Sequence, residues 1–173
     1  METSTAIKLL APGVNQGDLY WADLGCGTGT FTIALASLLT KESTVYAVDR
    51  DAKSLETLYR TRPEIIRTIR ADFTDPLLSF PSLNGILMAN SLHFVADKNQ
   101  LIQHLNSMLL PDGRILIIEY DTDTANTWVP YPVSFGALQR IVSGLGLVVR
   151  KTGTHPSIYG GREMYAALVT KSV

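Results

Sequence analysis

The sequence has little cysteine and no long apolar run. Cys26 is its only cysteine, so no disulfide can form within the chain, and a reducing compartment is expected. No uncharged apolar stretch approaches the ~20 residues that a membrane-spanning helix needs. The polar start, Met1-Glu2-Thr3-Ser4-Thr5, lacks the basic and apolar regions of a signal peptide. We therefore expect a soluble, cytoplasmic protein.

Charge of either sign is also scarce. The formal net charge is -1, and charged residues make up 18% of the 173 residues. Without a global basic field, nucleic acid and membrane surfaces are disfavoured as partners. The cysteine and histidine residues show no spacing typical of a metal site, so no metal is expected. With 46% hydrophobic residues, residues 1–173 are predicted to form one domain with a substantial core.

Hydrophobic periodicity predicts alternating strands and helices. The predicted helices are 5–12, Thr30–Thr40, Asp51–Arg60, Asp97–Leu110 and 134–144, and Pro63 is expected to end the third of these helices. The predicted strands are 19–24, 44–48, Ile65–Arg70, Gly85–Ala89, Arg114–Tyr120, Leu147–Thr152 and Met164–Thr170, with a turn at Pro111-Asp112-Gly113 before the fifth. Residues 153–161 are too few for a crossover helix, so the last two strands are predicted to pair antiparallel.

The most informative stretch lies between the first predicted strand and the helix that follows it, Asp23-Leu24-Gly25-Cys26-Gly27-Thr28-Gly29-Thr30. Alternating glycines at such a turn let a ligand approach the backbone closely, because glycine has no Cβ and tolerates positive φ. The stretch therefore predicts a loop that binds a nucleotide. A merely tight turn between strand and helix is the alternative, and it explains three alternating glycines less readily.

Polar residues follow the next three predicted strands. Asp49 ends the second strand about 20 residues beyond the glycines, where an acid can accept hydrogen bonds from both hydroxyls of a ribose. Asp72 and Phe73 follow the third strand, and Asn90 follows the fourth. The carboxyl ends of parallel strands form the rim at which open α/β sheets bind ligands. These residues are therefore expected to meet at one site.

Taken together, these motifs resemble the class I S-adenosylmethionine-dependent methyltransferase family. The resemblance rests on 23–29, Val48-Asp49, Ala71-Asp72-Phe73, 85–90 and Leu110-Pro111-Asp112-Gly113-Arg114, in that order. It implies a Rossmann-like α/β fold with a doubly wound seven-stranded sheet of order 3-2-1-4-5-7-6, strand 7 antiparallel and helices on both faces. It also implies S-adenosyl-L-methionine as cofactor, S-adenosyl-L-homocysteine as product, and methyl transfer to an O, N or C nucleophile of a small or medium organic acceptor.

The resemblance assigns cofactor contacts to Asp23, Gly25, Cys26, Gly27, Gly29, Asp49, Arg50, Asp72, Phe73 and Asn90. The glycines bring the backbone against the methionine and ribose parts, and Cys26 is either a small packing residue there or, less readily, a reactive thiol. Asp23 lies near the cofactor ammonium, or alternatively caps the loop. Asn90 lies beside the same ammonium and the transferring methyl.

The remaining assignments concern the ribose and adenine. Asp49 accepts from the ribose hydroxyls. Arg50 lies along the adenine or, equally, faces solvent. Asp72 accepts from the adenine amino group while the Phe73 backbone meets a ring nitrogen; the alternative is an acid that ends a strand and a phenylalanine in the core.

A general base is optional, because methyl transfer from a sulfonium depends mainly on alignment. His93 is the best candidate, since it follows the fourth strand and histidine titrates near neutrality. The alternative is a histidine that packs or shields the cofactor. Four aromatic residues are candidates for an acceptor pocket or, alternatively, for core or lid positions: Tyr20, Trp128, Tyr131 and Tyr159.

Other functions remain open at this stage. A nicotinamide dehydrogenase shares the glycine loop and Asp49, but it predicts a glycine where the chain has Thr30 and no antiparallel hairpin at the end. A scaffold that binds the cofactor without catalysis, or a subunit that activates a partner, keeps the same fold. Only a short segment precedes Asp23, so the acceptor side is expected to be open, and a homodimer, a partner subunit or a bulky acceptor would complete it. No Asn-Pro-Pro-Tyr follows the fourth strand, which disfavours methylation of adenine or glutamine amides.

Overall fold

A computed structural model describes residues 1–62, 64–156 and 163–172. Pro63 and Tyr159, two residues singled out from the sequence, lie outside these ranges. The α-helices are α1 (Thr3–Leu10), α2 (Thr30–Leu38), α3 (Ala52–Leu58), α4 (Lys98–Ser107) and α5 (Phe135–Gly144). The strands are β1 (Tyr20–Leu24), β2 (Thr44–Asp49), β3 (Ile66–Arg70), β4 (Leu83–Ala89), β5 (Leu109–Tyr120), β6 (Leu147–Pro156) and β7 (Glu163–Lys171). Short 3-10 turns occupy Ala11–Gly13 and Leu92–Phe94.

The strands form one sheet of order β3-β2-β1-β4-β5-β7-β6. The strands β1 to β5 run parallel to one another, whereas β7 pairs antiparallel with both β5 and β6. The predicted seven-stranded order and the antiparallel strand at position 7 are therefore confirmed. A nicotinamide dehydrogenase would be expected to lack this antiparallel hairpin, so its presence contradicts that alternative.

Helices cover both faces of this sheet, because most strands carry apolar side chains on both sides. One buried cluster joins α1, α2 and α3 to the face that presents Trp21 and Leu116. The other joins α4 and α5 to the face that presents Ala22 and Ile117. None of the helices in the described ranges combines the length and the apolar character that crossing a bilayer requires.

The entry to β5 differs from the prediction. The helix expected to run to Leu110 ends at Ser107, and β5 begins at Leu109. The predicted turn at 111–113 is instead a bulge within β5, because the pairing with β4 jumps from Leu83–Leu109 to Gly85–Arg114. The sequence contains the right residues for a chain reversal, but the pairing of Leu109 with β4 holds them inside a strand.

A buried ion pair joins the segment before β1 to β5, just after the bulge in β5. Arg114 donates through Nη2 to Asp18 Oδ2 and through Nε to the Gly13 carbonyl oxygen, the latter at 2.8 Å. The same Asp18 oxygen accepts from Trp21 Nε1 and from the Asn15 backbone amide, each at 3.1 Å. Both charged side chains are buried, so each depends on the other for its stabilisation in a medium of low dielectric constant.

Candidate functional site

A cavity of about 390 Å³ opens at the carboxyl ends of β1 to β4. The last residue of β2, the residue after β4 and the loops that follow β1 and β3 all contribute to it. Its lining residues are Gly25, Asp49, Arg50, Ala71, Asp72, Phe73, Thr74, Asn90, Ser91, Phe94 and Val95. Six of the residues predicted from the sequence to form the site therefore meet in one cavity, whereas Asp23, Cys26, Gly27, Gly29 and His93 do not line it.

The glycine turn between β1 and α2 takes positive φ at all three glycines. At Gly25, with φ of 77°, a Cβ would lie 2.6 Å from the Ser91 Cβ, so a side chain would collide there. At Gly29, with φ of 91°, a Cβ would overlap the Leu58 side chain, so this glycine permits α2 to pack on α3. Gly25 thus belongs to the cavity wall, and Gly29 is needed for packing behind it.

Asp49 links the glycine turn to the end of β2. Its Oδ2 accepts from the Gly27 backbone amide at 2.8 Å, and its Oδ1 accepts from the Asp51 amide at 2.9 Å. An ionised carboxylate offers about four acceptor positions. Asp49 lines the cavity, so it retains capacity for hydrogen-bond donors of a ligand.

Asp72, Phe73 and Arg50 form another part of the cavity wall. Asp72 Oδ1 accepts from the Thr74 hydroxyl at 2.7 Å and from the Thr74 amide at 2.9 Å. These two bonds hold the pKa of Asp72 below its usual range, so this carboxylate stays ionised at neutral pH. The Arg50 side chain is exposed, which agrees with the alternative in which it faces solvent.

Two buried acceptor oxygens at the carboxyl ends of β1 and β4 have no hydrogen-bond partner in the described part of the chain, Asp23 Oδ1 and Asn90 Oδ1. Asn90 takes a φ of 54° and lines the cavity. Asp23 is 1% exposed, and its other oxygen accepts from the Thr32 hydroxyl at 2.6 Å. Burial raises the pKa of Asp23 to about 7; the bond from Thr32 opposes this rise, and the charge of Asp49 adds to it.

We predict that Asp23→Asn stabilises the free protein at pH 8. The pKa of Asp23 is higher in the folded than in the unfolded chain, so folding takes up a proton between pH ~4 and ~7, and the free energy of unfolding falls as pH rises through this window. The shift from 3.8 to about 7 corresponds to roughly 4 kcal/mol. Asparagine avoids this cost and keeps an oxygen for the Thr32 hydroxyl. It also buries an amide NH2 without an acceptor, so we expect a net gain of at least ~1 kcal/mol. Urea denaturation should show a smaller gain at pH 5; a loss at pH 8 would contradict the assignment.

His93 is buried against β5. Its Nδ1 lies 2.7 Å from Glu119 Oε2, and its backbone amide donates to Glu119 Oε1 at 3.1 Å. Where Glu119 is a carboxylate it can only accept, and the contact then requires a proton on Nδ1. Both oxygens of the buried Glu119 are thus directed to one histidine, and the pair ties the 3-10 turn after β4 to the end of β5.

Cys26 packs rather than reacts. Its side chain is buried, and burial together with the nearby carboxylates of Asp23 and Asp49 raises the pKa of the thiol. A thiol that stays protonated is a poor nucleophile.

The predicted acceptor aromatics separate in space. Tyr20 begins β1, at the end of the strand opposite to the cavity. Trp128 and Tyr131 lie in the segment between β5 and α5, and Tyr131 donates its amide to the His93 carbonyl oxygen at 3.0 Å. The sequence analysis missed Ser91 and Phe94, which share the loop of Asn90, and Glu119. The signal for Glu119 was present, since it is the one charge in the apolar run Ile115-Leu116-Ile117-Ile118-Glu119-Tyr120.

Comparison with known families separates a methyltransferase from a dehydrogenase. A family model described as a methyltransferase domain matches residues 22–115, more than half of the chain. The chain belongs to this methyltransferase family. The match spans the glycine turn and the strands that build the cavity, and it leaves the dehydrogenase alternative without support. A search of curated proteins found no significant match.

Solved structures share the fold of this methyltransferase over nearly its whole length. The 1,6-didemethyltoxoflavin-N1-methyltransferase of Burkholderia thailandensis, with bound 1,6-didemethyltoxoflavin and S-adenosylhomocysteine, superposes with a TM-score of 0.78 at 18% identity, covering 98% of this chain and 78% of that one. The YcgJ protein of Bacillus subtilis gives 0.76 at 12%, covering 98% and 100%. The magnesium protoporphyrin IX methyltransferase of Synechocystis PCC 6803, with bound S-adenosylmethionine, gives 0.72 at 19%, covering 97% and 77%. The predicted class I methyltransferase fold is confirmed.

Proposed function

We propose that this methyltransferase uses S-adenosyl-L-methionine to methylate an O, N or C nucleophile of a small or medium organic acceptor. The single observation that carries the proposal is the pair of unpartnered buried oxygens, Asp23 Oδ1 and Asn90 Oδ1, at the carboxyl ends of β1 and β4, where Asn90 and the Asp49 carboxylate line the cavity. Buried acceptors without donors are costly, and the cofactor brings an ammonium, ribose hydroxyls and positive charge. When bound, it supplies an activated methyl group.

Different residues would contact different parts of the cofactor. Asp23 and Asn90 would hold the ammonium, and Asp49 the ribose hydroxyls. The backbone of Gly25, Cys26 and Gly27 would border the methionine and ribose parts, while Gly29 supports the turn through its packing on α3.

The adenine would lie where the loop after β3 borders the cavity. Asp72, held ionised by its bonds from Thr74, would accept from the amino group. The Phe73 backbone would meet a ring nitrogen, and Arg50 would extend along the ring from the exposed side. All three residues line the same cavity.

Two roles remain for His93. A neutral ring with its proton on Nδ1 has its basic lone pair on Nε2, as a general base requires. However, His93 does not line the cavity, and its bonds to Glu119 support a role in fixing the loop. A pH–rate profile of His93→Gln separates the two: loss of the acidic limb of the profile indicates a base, and an unchanged profile at reduced rate indicates positioning.

The neighbours support a small acceptor, because one of them was solved with bound 1,6-didemethyltoxoflavin. We further propose that residues 1–173 act as one domain in the cytoplasm. If the acceptor side is open, a homodimer or a partner subunit completes it. A scaffold without catalysis is the second candidate, since the cofactor residues alone would serve it.

Two assays test the proposal. In a thermal-shift experiment, S-adenosylhomocysteine should raise the melting temperature and NAD should not, because only a ligand of the folded state stabilises it. Radiolabelled S-adenosylmethionine is then incubated with cell extract fractionated by size. Labelled product in a small-molecule fraction supports the proposed activity, whereas binding without labelled product in every fraction supports the scaffold.

The raised pKa of Asp23 predicts how cofactor affinity depends on pH. The ligand's ammonium prefers ionised Asp23, which exists mainly above pH about 7. Between pH 7 and 5.5, where the ligand amine stays protonated, the affinity for S-adenosylhomocysteine should fall by up to ~10-fold for each pH unit. Isothermal titration checks this, and Asp23→Asn should bind weakly with little dependence on pH. An affinity that rises as the pH falls would contradict the contact.

A further inference from the structure

The side chain of Thr32 lies in the first turn of α2, directly after the glycine turn. It is completely buried and does not line the cavity. Its hydroxyl donates to Asp23 Oδ2 at 2.6 Å, the length expected of a hydrogen bond from a hydroxyl to an ionised carboxylate. Asp23 Oδ1 has no donor within the described residues. The carboxylate therefore has one satisfied oxygen and one unsatisfied oxygen, and Thr32 determines which is which.

No cation balances the Asp23 carboxylate in the described part of the chain, where it forms no salt bridge. The residues that pair with it on β2 and β4 are apolar. Burial raises the pKa of Asp23 to about 7, the bond from Thr32 opposes this rise, and the charge of Asp49 adds to it. Burial and the two carboxylates also raise the pKa of the Cys26 thiol, which stays neutral. Among these neighbours, only Thr32 favours the ionised form of Asp23.

We propose that Thr32 is a positioning residue for the cofactor, because its hydroxyl occupies one oxygen of Asp23 and leaves Oδ1 free for the ligand's ammonium. The inference rests on the proposed function, in which Asp23 Oδ1 binds that ammonium. A hydrogen bond to an ionised group is about twice as strong as one between neutral groups. The Thr32 hydroxyl therefore also keeps Asp23 in the form that attracts a cation.

The substitution Thr32→Val removes this hydroxyl and nearly keeps the shape of the side chain. Asp23 should then stay protonated to a pH about one unit higher, because the ionised form loses more than the neutral form. Isothermal titration with S-adenosylhomocysteine should give a dissociation constant ~10-fold above that of the unsubstituted protein at pH 6, but only about twofold above it at pH 8. The ligand's own titration cancels in this ratio. A purely structural loss would change affinity by the same factor at both pH values.

Three further variants show whether the effect passes through the hydroxyl and the carboxylate. Thr32→Ser keeps the hydroxyl and should bind within twofold of the unsubstituted protein at pH 6 and pH 8. Thr30→Val is the matched control, because Thr30 lies in the same turn of α2 and its hydroxyl forms no hydrogen bond within the described residues; its affinity should be unchanged. Added to Asp23→Asn, Thr32→Val should change affinity equally at both pH values, because no carboxylate remains there to titrate.

The outcomes are separable. A ratio for Thr32→Val that is equal at pH 6 and pH 8, or a pH dependence that Thr32→Ser does not restore, overturns the inference while the proposed function stands. Failure of S-adenosylhomocysteine to bind the unsubstituted protein defeats the proposed function instead, and the inference falls with it. If circular dichroism shows that Thr32→Val does not fold, Thr32→Ala makes the same comparison, since it removes the hydroxyl and places no methyl group against the carboxylate.

Discussion

Asp49→Ala is expected to weaken the binding of S-adenosylhomocysteine by at least a hundredfold. Two hydrogen bonds from ribose hydroxyls to a carboxylate are worth ~1.5–3 kcal/mol each, and together they account for two decades of affinity or more. The same change removes the acceptor of the Gly27 amide, which Asp49 Oδ2 holds at 2.8 Å. The glycine turn then loses its bond to β2. Isothermal titration at pH 7.5 measures the effect.

Asp51→Asn is the matched control for this change. Asp51 lies two residues further on, caps α3 through the Lys53 amide, and does not line the cavity. Asparagine caps a helix about as well as aspartate. The affinity of Asp51→Asn for S-adenosylhomocysteine should therefore stay within twofold of that of the unsubstituted protein. A dissociation constant for Asp49→Ala within tenfold of the unsubstituted value, with the fold intact by circular dichroism, would show that the carboxylate does not hold the ribose.

Asp18→Asn is expected to lower the free energy of unfolding by about 3–5 kcal/mol, because it leaves the Arg114 guanidinium buried without its counter-charge. For a domain of this size the melting temperature should fall by ~6–20 °C. The affinity for S-adenosylhomocysteine should be unchanged in the folded protein, since Asp18 precedes β1 and Arg114 is level with Gly85 near the start of β4, whereas the cavity lies at the carboxyl ends of the strands. Chemical denaturation gives the free energy directly.

The ion pair between Lys151 and Asp121 provides the comparison. Its side chains remain 34% and 27% exposed, so water screens the charges. Asp121→Asn keeps an oxygen for the Phe135 amide and should cost less than ~1 kcal/mol. If Asp18→Asn and Asp121→Asn lower the free energy of unfolding equally, burial does not determine how much the Asp18–Arg114 pair stabilises the fold. The double variant Asp18→Asn/Arg114→Met should recover part of the loss.

The alternation of strands and helices could be predicted from hydrophobic periodicity, and the antiparallel last pair from the short connection at 153–161, whereas the strand order followed from the resemblance to class I methyltransferases. The bulge in β5 could not be predicted. Pro111-Asp112-Gly113 has the composition of a turn, and only the pairing of Leu109 with Leu83 of β4 shows that the strand begins before it. Local composition alone predicts a turn at 111–113, whereas the strand forms there because of its pairing with β4.

Within the site, residues that depend on strand ends were predictable, and residues that depend on packing were not. Asp49, Asp72 and Asn90 reach the cavity because the carboxyl ends of parallel strands share one rim. The role of Gly29 depends on Leu58 of another helix. The His93–Glu119 pair likewise joins residues far apart in the chain. The lone charge of Glu119 in its apolar run was visible in the sequence, but its partner was not.

A crystal structure of the protein soaked with S-adenosylhomocysteine tests the central claim most directly. The ligand should occupy the cavity with the Asp49 carboxylate within hydrogen-bond distance of both ribose hydroxyls, and with its ammonium beside Asp23 and Asn90. An empty cavity at saturating ligand, or a ribose that does not contact Asp49, would contradict the account.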